Sequence, residues 1–293
     1  MAEKVKITYR NTNGDELIMG RFAPFYILGY NGFGMPDNTI DTQELYGMSG
    51  ARKITSSLNV RDIELVLLIK ADNFEELKDL KRSVLKVLNP AFAGTLIYQV
   101  LDKTYEIDVE IVQGFDAQEQ TSLSEKSAIQ FKALDPFWRD LSDYENLVPL
   151  NEVKPLFKFP LQITPDFKFA EMNPGEIVTI RNDGDANVGA VFTLKFTKKV
   201  VNPRVFDIRK QTFFGFKKTF YAGDTVTFST VRNKKRVTFK AKDGQNVNAM
   251  GMRMQGSTFI TLNIGETYLQ IQADEGIDGV LGTLDYSPLV LGV

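Results

Sequence analysis

The pattern of apolar and polar residues predicts one long helix, at about residues 73–88, in an otherwise β-rich chain. Apolar residues recur there at steps of three and four, at Phe74, Leu77, Leu80, Val84, Leu85 and Leu88. Charged residues fill the opposite face, as in an amphipathic helix. Asp72 stands at the N-cap position with Glu75 three residues later, so we expect a capping box. Asn89-Pro90 ends the helix, because proline supplies no backbone donor.

The rest of the chain shows the period-two alternation of strands. Before the helix, Asn13-Gly14 predicts a tight hairpin turn, and residues 61–71 form an apolar strand. After residue 175, short alternating runs are separated by turn signals about every eight to twelve residues. The fold class is therefore mainly β, with an N-terminal sheet that carries the helix and a C-terminal jelly-roll β-sandwich.

The chain is long enough for two domains. Its 293 residues exceed what one hydrophobic core usually serves. The prolines cluster in one connecting stretch, at Pro149, Pro155, Pro160, Pro165 and Pro174. Because domain boundaries fall in such linkers, we place the boundary there and expect domains at residues 1–146 and 147–293.

Residues 29–50 form a long glycine-rich segment that contains scattered apolar residues. A structureless loop of about twenty residues is uncommon in a compact domain and tends to be functional. We interpret the segment as an extended arm that buries its apolar residues against another subunit, namely Phe33, Met35, Leu45, Tyr46 and Met48. A mobile surface loop is the alternative.

The composition argues against most enzyme classes. The chain has no cysteine and no histidine, which excludes disulfides, thiolate nucleophiles, Cys/His zinc sites and Ser-His or Cys-His catalysis. We therefore predict a protein that is not an enzyme, with no catalytic, metal or cofactor site. The sequence also lacks an apolar run of about eighteen residues and an N-terminal signal core, so we expect no membrane insertion and synthesis in the cytoplasm.

Charge is distributed unevenly along the chain. The net charge is −2 overall, but residues 1–150 carry −7, residues 151–250 carry +9 and residues 251–293 carry −4. Such asymmetry can mark surfaces with different partners. Ordinary solubilising charge explains it equally.

Glu106, Asp108 and Glu110 form an acidic stripe, because they alternate with Tyr105, Ile107, Val109 and Ile111 along one predicted strand. Carboxylates two residues apart on a strand lie roughly 7 Å from each other. A glycosidase needs two carboxylates at about that separation, but on opposite sides of a cleft. The solvated face of a sheet is the simpler interpretation.

Three further motifs resemble functional sites. Residues 182–187 (Asn-Asp-Gly-Asp-Ala-Asn) resemble the start of a calcium loop, but Val188 and Leu194 stand where an EF-hand needs glycine and an acid. Residues 276–282 have the wrong glycine spacing for a nucleotide loop. A basic cluster is formed by Arg232, Lys234, Lys235 and Arg236. We expect it at the tip of a hairpin, where it could bind an anionic polymer.

A series of short motifs gives the chain a family resemblance. In the first half these are Leu88-Asn89-Pro90, Gly94-Thr95-Leu96 and Asp135-Pro136-Phe137-Trp138. In the second half they are Gly184-Asp185-Ala186, Asn202-Pro203, Ala222-Gly223-Asp224 and Leu262-Asn263-Ile264-Gly265-Glu266. In this order, the motifs resemble the distal tail proteins of long-tailed phages that infect Gram-positive bacteria.

The resemblance implies an N-terminal split β-barrel with one helix and a C-terminal galectin-like sandwich. It further implies a homo-hexameric ring at the tip of the tail of the virion. Such a ring joins the tail-tube protein to the tail-associated protein and the receptor-binding protein, and DNA passes through its lumen. On this view Glu106, Asp108 and Glu110 face the lumen and repel DNA phosphates.

A second function class remains open. A carbohydrate- or receptor-binding β-sandwich of the phage adhesion device is the alternative to a structural ring. Exposed aromatic platforms would favour it, but the sole tryptophan, Trp138, lies at the predicted domain boundary.

Overall fold

The computed structural model describes residues 5–47, 49–142, 147–151, 153–155, 170–172 and 175–293, and it folds as two compact units. The first unit is Met1–Ser142 together with Leu289–Val293, and the second is Asp143–Pro288. The sequence gives no sign that the last five residues return to the first unit. The described residues are mainly strands with one α-helix, which confirms the predicted fold class.

The elements of the first unit, in chain order, are β1 (Lys6–Asn11), β2 (Glu16–Met19), β3 (Phe25–Asn31), β4 (Asn38–Glu44), β5 (Ala51–Leu58), β6 (Arg61–Lys70), α1 (Phe74–Val87), β7 (Gly94–Val100), β8 (Lys103–Gln113), β9 (Glu119–Gln120), β10 (Ser124–Ala133) and β11 (Trp138–Asp140). No helix among the described residues is long and apolar enough to cross a membrane.

The elements of the second unit, in chain order, are β12 (Leu147–Pro149), β13 (Val153–Pro155), β14 (Ala170–Met172), β15 (Ile177–Asn182), β16 (Val188–Gly189), β17 (Val191–Phe196), β18 (Val200–Val201), β19 (Arg204–Asp207), β20 (Thr212–Gly215), β21 (Thr219–Phe220), β22 (Thr225–Ser229), β23 (Arg236–Lys240), β24 (Val247–Asn248), β25 (Thr261–Leu262), β26 (Gly265–Gln272) and β27 (Val280–Asp285). The chain then returns to the first unit as β28 (Leu289–Val290).

The first unit is a β-barrel. Its strands run in the order β2-β1-β7-β8-β10-β6-β3, and every neighbouring pair is antiparallel. The two ends of this sheet meet, because the Gly20 N–H donates to Phe25 O (3.1 Å) and the Ile27 N–H donates to Gly20 O (2.7 Å). The sheet therefore closes on itself, with one short seam between β2 and β3.

Alternate side chains of these strands fill the barrel. Tyr9 is fully buried, and its ring lies 5.4 Å from that of Phe131, centroid to centroid. A Cβ on Gly94 would lie 2.4 Å from atoms of the Tyr9 ring, so only glycine leaves room for this packing. Burial raises the pKa of Tyr9 to about 12, and the charge of Glu110 adds to the shift.

Helix α1 packs on the barrel through Leu77, Val84 and Val87. Its cap lies one residue later than the sequence suggests. Asn73 Oδ1 accepts from the Glu76 N–H, and Glu76 Oε2 accepts from the Asp72 N–H, both at 2.9 Å. The predicted Asp72–Glu75 capping box was wrong in register, because Asn and Asp cap a helix about equally well and the sequence does not distinguish them.

Arg61, at the start of β6, binds backbone carbonyls from three distant segments. The side chain is 2% exposed. Its Nε donates to Pro136 O (2.8 Å), Nη1 donates to the carbonyls of Gly32 (2.7 Å) and Gly34, and Nη2 donates to Leu291 O (2.6 Å). Burial lowers the pKa of Arg61 from its ordinary value, but an arginine remains protonated at neutral pH.

The second unit is a β-sandwich. Its larger sheet has the order β12-β27-β17-β22-β23-β24, and its smaller sheet has the order β15-β26-β19-β20. The sheets pack through stacked phenylalanines: Phe214 of the smaller sheet lies 4.4 Å from Phe228 of the larger sheet. Phe192 stacks on the other side of Phe228 at 4.6 Å. All three rings are fully buried and form the centre of this core.

We predict that Arg61→Met destabilises the first unit by about 3–5 kcal/mol, because it leaves four carbonyl contacts of a buried guanidinium unmade. Urea unfolding followed by the fluorescence of Trp138 measures this, since the only tryptophan is fully buried in the first unit. The control is Arg10→Met, which removes an exposed ion pair with Glu16 and should cost under about 1 kcal/mol. A loss below 1 kcal/mol for Arg61→Met would contradict the prediction.

We also predict an alkaline loss of stability that depends on Tyr9. The phenol ionises near pH 10 when unfolded but only near pH 12 when folded, so the unfolded state loses its proton first and stability falls as pH rises between these values. From pH 9 to pH 11 the wild type should lose about 1.4 kcal/mol more than Tyr9→Phe. If the free energy of unfolding falls equally with pH in both proteins, the pKa of Tyr9 is not raised by folding and the prediction is wrong.

Candidate functional site: the exposed hairpin and the acidic strand

Strands β4 and β5 form a hairpin that pairs with no other strand of the described chain. Every side chain of the two strands is exposed except Leu58, which is half-buried. At its base the Asn59 N–H donates to Asp37 O (2.8 Å), and Thr39 Oγ1 donates to Asn59 Oδ1 (2.7 Å). An isolated two-stranded hairpin is marginally stable at best in water, so a surface that covers this one would stabilise it.

Several apolar side chains of this hairpin and its flanks are exposed to solvent. Tyr46 is fully exposed at the tip, Met35 is 74% exposed and Leu45 is 43% exposed. Met48, the last of the five apolar residues expected in the arm, lies outside the described residues. The structure adds Ile40 (53% exposed) and Ile54 (64% exposed), which the sequence analysis missed.

The expectation for Phe33 was wrong. Phe33 is 4% exposed and packs inside its own unit, with ring centroids 5.0 Å from Trp138 and 5.1 Å from Tyr98. The backbone turns inward at Gly32, whose φ is +83° and whose Cβ would lie 2.1 Å from Asp62 O. Phe33 therefore anchors the base of the hairpin within its own unit and is not one of the exposed residues of the arm.

The base of the hairpin is fixed from several directions. Arg61 holds the carbonyls of Gly32 and Gly34, and the Val293 N–H donates to Phe33 O at 3.0 Å. Strand β28 pairs with β11, so the returning segment is itself part of the sheet. The hairpin thus projects from a rigid point although its own strands contact solvent.

The acidic stripe lies on β8 with a counter-charge. Arg139 Nε donates to Glu106 Oε1 at 2.8 Å, and its Nη2 donates to Asp108 Oδ1 at 2.6 Å. Burial alone would lower the pKa of Arg139, but its hydrogen bonds and the two carboxylates outweigh burial and raise it. Glu110 is exposed, and its charge contributes to the raised pKa of Tyr9.

Arg139 was missed because nothing in the sequence pairs it with residues about thirty positions earlier. Strand β11 lies beside β8 and places Arg139 opposite Glu106. Arg139 therefore partly neutralises Glu106 and Asp108. Together with Glu110, these side chains carry a net charge of −2. They form one row with an arginine beside it, which is not the opposed pair of a glycosidase.

The remaining motifs are turns. Asn182 Oδ1 accepts from the Gly184 N–H (3.0 Å), and its Nδ2 donates to Ala186 O (2.9 Å), so the calcium-like run is an Asx turn after β15. Residues 277–279 form a 3₁₀ turn, where Asp278 pairs with Lys198. No group of three acidic residues suited to a metal ion occurs among the described residues.

Two family models match the chain. One, described as a phage tail protein RIFT-related domain, matches residues 21–133, which span most of the barrel and the hairpin. The other, described as the C-terminal domain of a siphovirus-type tail component, matches residues 183–288 in the sandwich. The comparison with curated proteins finds no match.

Solved structures of phage proteins share the fold. The Dit protein of phage SPP1, described as a paradigm of the hub adsorption apparatus in Gram-positive infecting phages, is 15% identical with a TM-score of 0.63, over 97% of this chain and 98% of that chain. A chain of the phage P2 baseplate, in its activated conformation with Ca, is 14% identical with a TM-score of 0.57, over 98% of both chains.

The same baseplate with Sr contains a chain that is 14% identical with a TM-score of 0.54, over 97% of this chain and 98% of that chain. At such identities these likenesses show the fold. The two family models identify the domains: one matches residues of the first unit, the other matches residues of the second unit, and both describe phage tail proteins. The chain belongs to the distal tail proteins of siphoviruses, which are structural components of the phage tail.

Proposed function

We propose that six copies of this chain form a ring at the tip of the tail, built from the first unit. The observation that carries the proposal is the unpartnered hairpin β4–β5, which exposes Ile40, Ile54 and Tyr46 on a rigid base. Burying a large aliphatic side chain is worth roughly 1.5–3 kcal/mol, so a second copy is the natural partner. The number six rests on the resemblance to distal tail proteins.

The ring would connect the tail tube to the tail-associated and receptor-binding proteins, with DNA passing through its lumen. The similarity to chains of a baseplate and of a hub protein supports this role. The second unit would contact the proteins below the ring, and synthesis would take place in the host cytoplasm. A ring uses a head-to-tail interface, in which one patch of each copy contacts a different patch of the next, and this also explains why an otherwise exposed hairpin is retained.

The edge of the barrel offers a surface for the hairpin of a neighbouring copy. Strand β3 pairs with β6 on one side, but on the other it meets β2 only at the short seam. Leu28 (55% exposed) and Tyr30 (42% exposed) lie beyond that seam, near a small open pocket of about 60 Å³ lined by Val5, Arg21 and Ile27. An edge strand with exposed apolar residues invites an added strand.

We predict that Ile40→Ser with Ile54→Ser prevents ring assembly. Both side chains are exposed in the single copy, so the fold should tolerate the changes, while the interface loses two buried aliphatic groups and assembly weakens at least tenfold. Native mass spectrometry with negative-stain images measures this, without and with tail-tube protein. The matched control is Ile177→Ser with Ile264→Ser, two exposed isoleucines of the second unit.

Two results would overturn these assignments. Rings formed equally well by the Ile40→Ser, Ile54→Ser protein would remove the hairpin from the interface. A wild-type protein that stays monomeric even with tail-tube protein would overturn the ring itself.

We also propose that the acidic stripe faces the lumen and keeps DNA mobile by repelling its phosphates. Glu110→Lys is the clean test, since reversing Glu106 or Asp108 would also remove the partners of half-buried Arg139. Phage reconstituted with Glu110→Lys should eject DNA more slowly than the wild type. Asp243→Lys, an exposed reversal in the second unit, is the control. Equal ejection rates for Glu110→Lys and the wild type would place the stripe elsewhere.

A further inference from the structure

Positive charge is concentrated in one part of the second unit. Residues 195–242 contain 14 Lys and Arg but only 2 Asp and Glu, a net charge of +12 in 48 residues. All of them are described by the structure. Such a density raises the local electrostatic potential unless acidic residues from elsewhere neutralise it.

Acidic residues neutralise one group of these cations. Lys198 pairs with Asp278 (2.5 Å), Lys199 with Glu275 (3.2 Å) and Arg204 with Asp274 (3.2 Å). The three carboxylates come from residues 274–278, which pass beside the turn that carries the lysines. Charge in this corner of the sandwich is therefore locally balanced.

A second group has no carboxylate partner among the described residues. Lys195 on β17, and Arg236 and Lys240 on β23, are exposed on the outer face of the larger sheet. Lys195 lies opposite Thr225, which lies opposite Lys240, so the backbones of the two lysines stand two strand spacings apart, about 10 Å. Among described residues of this face, the acidic one is Asp285 on β27, three strands from Arg236.

A row of hydroxyl groups lies directly beside this pair of lysines. Thr283, Thr193, Thr227 and Thr238 are in register across four adjacent strands, β27, β17, β22 and β23. Successive threonines stand about 4.8 Å apart along the sheet, and the Oγ1 atoms of Thr193 and Thr227 are 3.4 Å apart. The four threonines are half-buried and have no acidic neighbour within their own row.

The chemistry of this face limits its partner. The outward residues of β17, β22 and β23 include no aromatic side chain, so the face lacks the platforms on which bases of single-stranded nucleic acid stack. Within these three strands the apolar outward residue is the half-buried Val191. At the β27 side of the face, half-buried Leu281 lies opposite Lys195 and exposed Leu147 lies opposite Asp285, and none of them is one of the aromatic anchors found at the centre of protein interfaces. What remains is a flat array of hydroxyls flanked by cations.

We propose that the outer face of the larger sheet, defined by Lys195, Arg236, Lys240, Thr193, Thr227 and Thr238, binds a polyol chain linked by phosphodiesters. The cations complement the repeating phosphates, and the threonine hydroxyls bond to phosphate oxygens and polyol hydroxyls. The basic cluster at residues 232–236 adjoins this face through Arg236 and extends its field. This function is additional to the ring and does not depend on it.

The test is titration calorimetry of the full-length protein with poly(glycerol phosphate) of defined length, at 50 and 150 mM salt. We expect binding whose affinity falls as salt rises, because ion contacts are screened and counterions are released. Lys195→Gln with Lys240→Gln should lower the affinity at least fivefold. Lys198→Gln with Lys199→Gln removes the same charge from the paired group and should change it less than twofold.

A further variant separates the hydroxyl row from charge. Thr227→Val keeps the shape of the side chain, so it should weaken binding about twofold or more while leaving the salt dependence unchanged. Equal losses for the two lysine pairs would show that only overall charge matters and would overturn the assignment of this face. Absence of binding to poly(glycerol phosphate), or equally tight binding to double-stranded DNA, would overturn the proposed partner.

Discussion

The first unit depends on the burial of one charged side chain. Arg61 has no carboxylate hydrogen-bond partner in the part of the chain that the structure describes, so its charge is stabilised by the carbonyl dipoles of Gly32, Gly34, Pro136 and Leu291. A guanidinium group can do this because its donors form a planar fork with fixed directions. The loop before the hairpin, the segment before β11 and the returning segment Leu289–Val293 are positioned together, and none can shift without leaving a buried donor or acceptor unpaired.

This constraint explains how a rigid barrel can present an unsupported hairpin. Phe33 and the carbonyls on either side of it are fixed in the core, whereas the hairpin begins only a few residues later, at Asn38, and both of its strands contact solvent. The direction of the hairpin is thus set by the fold, while its stability is left to whatever covers Ile40 and Ile54. Pre-setting the direction lowers the entropy lost on association, which is the physical advantage of a rigid base for an assembling protein.

Periodicity predicted the parts of the fold that local sequence determines. It found the helix, the strand at residues 105–111 and the β-rich second half, and the motif series indicated the family, which the family models confirm. It could not find contacts that depend on the tertiary fold, such as Arg139 with Glu106 or Arg61 with Leu291, because these join residues 33 and 230 positions apart. Phe33 was misassigned for a related reason: an aromatic residue between two glycines has the same local pattern whether it faces a neighbour or its own core.

The second unit shows why a charge count along the chain is not yet a surface property. The excess of basic residues in 151–250 and the acidic residues in 251–293 invite the expectation of two opposed surfaces. In the fold, Asp274, Glu275 and Asp278 lie beside the basic turn and neutralise it, so those charges act mainly at short range. The strands that carry Lys195, Arg236 and Lys240 receive no such partner among the described residues, because their outward neighbours in register are threonines. Strand register, rather than composition, therefore brings these three cations together on one sheet face, where their field extends into solvent.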